Sequence, residues 1–174
     1  KLAIRRGHKK LEEKDLQVYE RQSKGQNYIV YALDASGSMK GNKIGACKKA
    51  GIALAYKAIN EKDKVGLIVF GSEIKTAVKP TQDFPFLLKN IASASASRQT
   101  DFKETLRKSI ELFPSEDVTK HLILITDALP TIGDEPEKET LKAISEAKNM
   151  GITVSLVGIN VDDKGKKLAK KITD

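Results

Sequence analysis

Cysteine is nearly absent from this 174-residue chain, and the single thiol, Cys47, excludes an internal disulfide and any site built from several thiolates. Two histidines, His8 and His121, leave little for an imidazole-based metal centre. Tryptophan is missing and aromatics are only 5%, so the stacking platforms of a single-strand nucleic-acid binder are not there. No run approaches the roughly 18 consecutive apolar residues of a membrane span, and Lys1 to Lys10 lacks the apolar core of a signal peptide. These absences lead us to expect no membrane segment and, from the cysteine count, a reducing, cytoplasmic compartment. The chain opens on Lys rather than Met, as expected of a piece of a longer protein.

What is present is the composition of one globular domain, with 40% apolar and 31% charged residues. The net charge of +8 first suggests an anionic partner such as nucleic acid. Its distribution weighs against that. Residues 1–26 carry eight basic and four acidic side chains, half of the excess, and much of the remainder sits in a lysine-rich last helix at Lys164, Lys166, Lys167, Lys170 and Lys171. We therefore divide the chain into a basic extension, residues 1–26, with Leu16, Val18 and Tyr19 as one added strand, and a domain over residues 27–174.

From Asn27 onward, short apolar runs alternate with amphipathic stretches. The runs at 28–33, 65–70, 121–126 and 152–157 read as buried parallel strands. Between them, helices are predicted over 42–60, 83–92, from 102 to Pro114, 137–150 and from Asp162 or Asp163 toward Thr173. Cys47 falls on the apolar face of the first of these, and Gly45, Ala46, Ala50, Gly51 and Ala53 suit a close approach to a sheet. Residues 74–78, ending at Pro80, form a polar antiparallel edge strand. The alternation defines an α/β fold: a doubly wound, mostly parallel open sheet with helices on both faces, in which one further strand is expected after the last helix.

In such a sheet, ligands bind beyond the carboxyl ends of the strands where the strand order reverses. Three loops there carry oxygen donors: Asp34-Ala-Ser36-Gly-Ser38-Met39 after the first strand, Gln99-Thr100-Asp101 ahead of a helix, and Thr126-Asp127 at the end of another strand. Carboxylates and hydroxyls are ligands for a hard cation, Mg²⁺, Mn²⁺ or Ca²⁺. A lone Asp or Ser after a strand is usually a helix cap. Two alternating serines after Asp34, with Thr100 and Asp127 returning at two later loops, go beyond capping. Catalysis fits less well. A haloacid-dehalogenase-like phosphotransferase needs a second carboxylate where this chain has Ser36, no histidine is placed for a serine hydrolase, and no glycine-rich phosphate loop occurs.

From Asn27 to about Thr173 the chain resembles the von Willebrand factor type A (VWA) domains, because Asp34-Ala-Ser-Gly-Ser-Met39, Thr100 and Asp127 match that family's metal-ion-dependent adhesion site (MIDAS). The resemblance implies that Ser36, Ser38 and Thr100 are direct hydroxyl ligands, with Asp34 and Asp127 holding the ion directly or through water. Two positions depart from the family pattern: Arg98-Gln99 precedes Thr100 where Gly is common, and Ala128 follows Asp127 where Gly is common. Neither removes a ligand. The leading segment Asp15 to Glu20 is similar to that of prokaryotic VWA proteins allied to magnesium-chelatase D subunits and MoxR-type AAA+ ATPases.

The expected function is metal-dependent protein binding without catalysis. The ion keeps a position open for a partner's Asp or Glu, and the resemblance implies an AAA+ ATPase as partner. Lys40, Lys43 and Arg98, on the same loops, are expected to favour an acidic partner. The alternatives are a chelatase D-like subunit aiding metal insertion into a tetrapyrrole, and a structural or nucleic-acid-binding VWA domain.

Overall fold

Parallel strands with apolar residues on both faces need helices on both sides, and that requirement organises the computed structural model, which describes residues 25–96, 101–127, 130 and 132–173. The described elements are β1 (Tyr28–Asp34), α1 (Asn42–Asn60), β2 (Lys64–Phe70), β3 (Ile74–Thr81), α2 (Phe84–Ser93), α3 (Phe102–Leu112), β4 (Lys120–Thr126), α4 (Pro136–Asn149), β5 (Ile152–Gly158) and α5 (Asp163–Thr173). A short 3₁₀ turn, Gly37–Met39, lies between β1 and α1. The proposed strand at Leu16 to Tyr19 lies outside the described residues, as do Arg98, Gln99, Thr100 and Ala128.

The five strands form one sheet in the order β3-β2-β1-β4-β5. All neighbours are parallel except β2 and β3, which pair antiparallel at the edge, as predicted. The register between those two shifts near Gly66 and Pro80; a ring without an N–H is tolerated at such an irregular edge. Side-chain alternation splits the core into two layers. Tyr31, Leu33, Leu67, Val69 and Ile125 pack with Cys47, Ala55 and Ala58 of α1 and Leu87 and Ile91 of α2. Val30, Ala32, Ile68, Phe70, Leu122 and Leu124 pack on the opposite face with residues of α3, α4 and α5.

Local chemistry sets the boundaries. The Asp83 side chain accepts from Phe86 N at 2.9 Å and caps α2, Asp101 caps α3 through Glu104 N at 3.0 Å, and Asp162 accepts from Gly165 N at 2.7 Å at the start of α5. Of the small residues expected to bring α1 onto the sheet, Gly51 carries that role: a Cβ there would lie 3.0 Å from Leu33 Cδ2. Gly45, Ala46 and Ala53 instead leave the contact face, with open space around Gly45. In α3 the buried face is broader than the apolar pattern suggests. Thr105 and Ser109 are buried because each hydroxyl donates back to a carbonyl one turn earlier, Asp101 O at 2.6 Å and Thr105 O at 2.7 Å. Among the described residues no helix is long and apolar enough to cross a membrane.

Candidate metal centre

β1 is central, and its carboxyl end lies where chain connections leave in opposite directions, toward β2 on one side and β4 on the other. Asp34 closes β1 and is completely buried. Its Oδ1 accepts from the backbone N–H of Ser36 at 2.8 Å, which folds the loop back on itself. Its Oδ2 accepts from the Thr126 hydroxyl at 2.6 Å, tying the loop to the end of β4. Ser36 Oγ and Ser38 Oγ stand 2.9 Å apart, so the two serines of the alternating motif do aim at one region. Burial pushes the Asp34 carboxyl up from the ordinary aspartate value; the bonds from Thr126 and Ser36 oppose that, and the charge of nearby Asp127 adds to it.

Asp127 follows β4 directly and is 1% exposed. Its Oδ2 accepts from Lys43 Nζ at 3.1 Å. Its Oδ1 is buried and, among the described residues, without a hydrogen-bond partner, a costly condition for a carboxylate oxygen. The expectation that Lys43 is an exposed rim residue thus needs correcting: from the first turn of α1 its ammonium reaches inward to Asp127, leaving the side chain 30% exposed. Lys40 is exposed, as expected. Beneath the site, Cys47 is core rather than ligand. Its Sγ faces Ile125 O at 3.7 Å, and burial, with the Asp34 charge, pushes the thiol up to about 12.

The donor chemistry suits a hard divalent cation. Two carboxylates and two hydroxyls are all oxygen, and one buried carboxylate oxygen has no hydrogen-bond donor among the described residues. Among the described residues no three His, Cys, Asp or Glu side chains form a metal-binding group, so a set that held an ion here would need hydroxyls as well. Thr126 escaped sequence reasoning as anything but a strand end. Its signal was a lone hydroxyl closing an otherwise apolar strand beside Asp127.

An open, doubly wound sheet with clustered oxygen donors at the end of its central strand describes a class of ion-binding α/β domains. Residues 29–174 match the model of the von Willebrand factor type A domain, and the chain belongs to that family. Domains of the family typically bind a divalent metal at a MIDAS and act in adhesion or protein interaction; they are generally not enzymes. The chain is 30% identical over 114 residues to the magnesium-chelatase 67 kDa subunit of Heliobacterium mobile, covering 63% of this chain and 17% of that subunit. It spans about a fifth or less of the length of the curated relatives it matches. In fold it is similar to the pilus adhesin SpaC of Lactobacillus rhamnosus GG in its open conformation (TM-score 0.74, 20% identity, 89% of this chain and 27% of that one). It is likewise similar to a manganese-loaded TRAP protein of Plasmodium vivax (TM-score 0.68, 17% identity, 85% and 62%).

Proposed function

We propose that this chain is a divalent-metal-dependent protein-binding module whose ion is held by Asp34, Ser36, Ser38 and Asp127, with Thr100 as a further hydroxyl donor. The observation that carries the reading is Asp127 Oδ1, buried and, among the described residues, without a hydrogen-bond partner beside a second buried carboxylate. Two like charges out of water are unfavourable unless a cation joins them. A hard divalent ion would supply a Lewis-acidic point that accepts one more anionic oxygen, and the Asp or Glu of a partner protein is the natural donor. The chain's own residues preorganise the site: Thr126 and the Ser36 amide orient Asp34, while Lys43 pairs with Asp127. Lys40 and Arg98 are the rim charges that would steer an acidic partner.

A finer reading makes the domain an adaptor to an AAA+ ATPase in the cytoplasm; it rests on the family resemblance of Asp15 to Glu20 and on the low cysteine count, and similarity to a magnesium-chelatase subunit is consistent with it. The same similarity favours a second reading, a chelatase D-like subunit aiding metal insertion into a tetrapyrrole. Porphyrin metallation assays with and without the chain separate the two. The metal site is tested by titration calorimetry with Mg²⁺ and Mn²⁺. Asp34→Ala should remove measurable binding while circular dichroism shows the fold retained; binding unchanged in that variant would sink the assignment.

A further inference from the structure

Lys43 is the feature of the site that an ion-binding role alone does not require. Its Nζ lies 3.1 Å from Asp127 Oδ2, so the group reaching this carboxylate is already a cation. The Asp127 side chain is 2% exposed and that of Lys43 30%, so water screens the pair less than it would two surface charges. Among the described residues no further His, Cys, Asp or Glu joins Asp34 and Asp127 as a metal-binding group. Counted over the described residues seen to interact here, with both carboxyls ionised, the formal charge comes from these two carboxylates and one ammonium. Before an ion enters, they leave one negative charge. With a divalent ion they leave one positive charge, and a single carboxylate from outside brings the cluster to neutrality.

We infer that Lys43 is a specificity-determining residue: it weakens the site for the bare ion and strengthens it for the ion together with a carboxylate. This rests on the metal-binding reading above. The physical cause is a fixed positive charge beside the entering cation, in surroundings where charges interact more strongly than in water. A chain without that charge would form a neutral ion complex and gain less from an anionic partner. The metal would stay bound whether or not a partner was present. With Lys43 in place, ion and carboxylate each raise the affinity for the other by the same factor. The residue also supplies a countercharge to Asp127 when no ion is bound, so the metal-free fold keeps a paired carboxylate in its interior.

The experiment titrates the 174-residue chain with Mg²⁺ by calorimetry, without and with acetate as the carboxylate probe, for wild type, Lys43→Gln and Lys43→Arg. Gln keeps a hydrogen-bond donor and removes the charge; Arg keeps the charge. Lys43→Gln should bind Mg²⁺ about tenfold more tightly than wild type, because the fixed positive charge beside the entering cation is gone. Its gain in Mg²⁺ affinity on adding acetate should shrink by about the same factor. Lys43→Arg should behave as wild type. A thermal melt in chelator and in Mg²⁺ should show a larger metal-induced rise for Lys43→Gln. Mg²⁺ affinity in Lys43→Gln equal to or below wild type, an unchanged acetate gain, or an Arg variant that matches Gln would each overturn the inference. So would a Gln variant that stays unfolded at saturating Mg²⁺. The site reading fails separately, if Asp34→Ala retains Mg²⁺ binding.

Discussion

Carboxylates are buried at both ends of this sheet, and the two ends satisfy them differently. Asp63 sits immediately before β2, is 5% exposed, and its Oδ1 accepts from the backbone N–H of Asn27 at 3.0 Å and from Asn27 Nδ2 at 2.9 Å. Neutral amides from the residue just ahead of β1 thus clamp the starts of two neighbouring strands. At the opposite end, Asp34 and Asp127 lie together; Ser36 and Thr126 serve Asp34, Lys43 serves one oxygen of Asp127, and its other oxygen has no hydrogen-bond partner among the described residues. A carboxylate that serves only the fold finds its donors within the fold. The buried Asp127 oxygen that the described donors do not reach is where the proposed ion would find its contact.

The largest expected effects come from removing one carboxylate at each end. Asp34→Ala should lower Mg²⁺ affinity by at least about a hundredfold, beyond the loss typical of an outer partner. Asp63→Ala should leave Mg²⁺ affinity unchanged and lower the unfolding free energy by about 1–3 kcal/mol, because both Asn27 donors lose their acceptor. Calorimetry and urea denaturation on both variants check the contrast, and it collapses if Asp63→Ala also loses the metal.

A smaller effect sharpens the comparison at the metal end. Thr126→Val removes the hydroxyl that holds Asp34 Oδ2 and touches no proposed ligand position. Mg²⁺ affinity should fall about tenfold, the usual cost of freeing a ligand's orienting partner. Affinity equal to wild type would show that Asp34 needs no such support.

The smallest effect lies toward the other end, at His121, whose Nε2 is 2.9 Å from Ser155 Oγ on the neighbouring strand. Burial lowers its pKa from the ordinary histidine value, so the folded chain resists protonation that the unfolded chain accepts. The unfolded state then binds more protons between the two values. Stability is fully present above about pH 6.5 and declines as the pH falls from there toward the folded value. Melting temperatures measured across that window should fall less in His121→Gln than in wild type; equal falls would refute the role.

Most of the fold was legible in the sequence, because the runs of β1, β2 and β4 are largely apolar, as a doubly covered sheet requires; the fourth, 152–157, expected as buried, carries Thr153 and Ser155 and lies half-exposed at the sheet's other edge. The edge strand was legible too, since Lys75, Lys79 and Pro80 suit one position in a sheet and no other. The face of α3 was not: Thr105 and Ser109 read as polar, and their burial depends on hydroxyls returned to their own helix's backbone. At the site, Asp34, Ser36, Ser38 and Asp127 stood out by residue type and spacing, and the structure brings the two serine hydroxyls together. Lys43 could not be read correctly, because its position on α1 leaves both water and Asp127 within reach. Only the docking of α1 against the end of β4 decides between them. Thr100 and Arg98 fall outside the described residues, so their roles remain part of the proposal.

The strand order has a consequence for how the site comes into being. β1 sits between β2 and β4, and the contacts that build the centre join positions 84 residues apart at Lys43 and Asp127 and 92 apart at Asp34 and Thr126. Contacts that distant form late and slowly compared with local ones. A nascent chain that has emerged only through β3 already carries Asp34, Ser36, Ser38 and Lys43, yet has none of their partners from β4. Closing β4 against β1 is then one event with completing the site, and retention of Mg²⁺ on a refolding chain would time that closure directly.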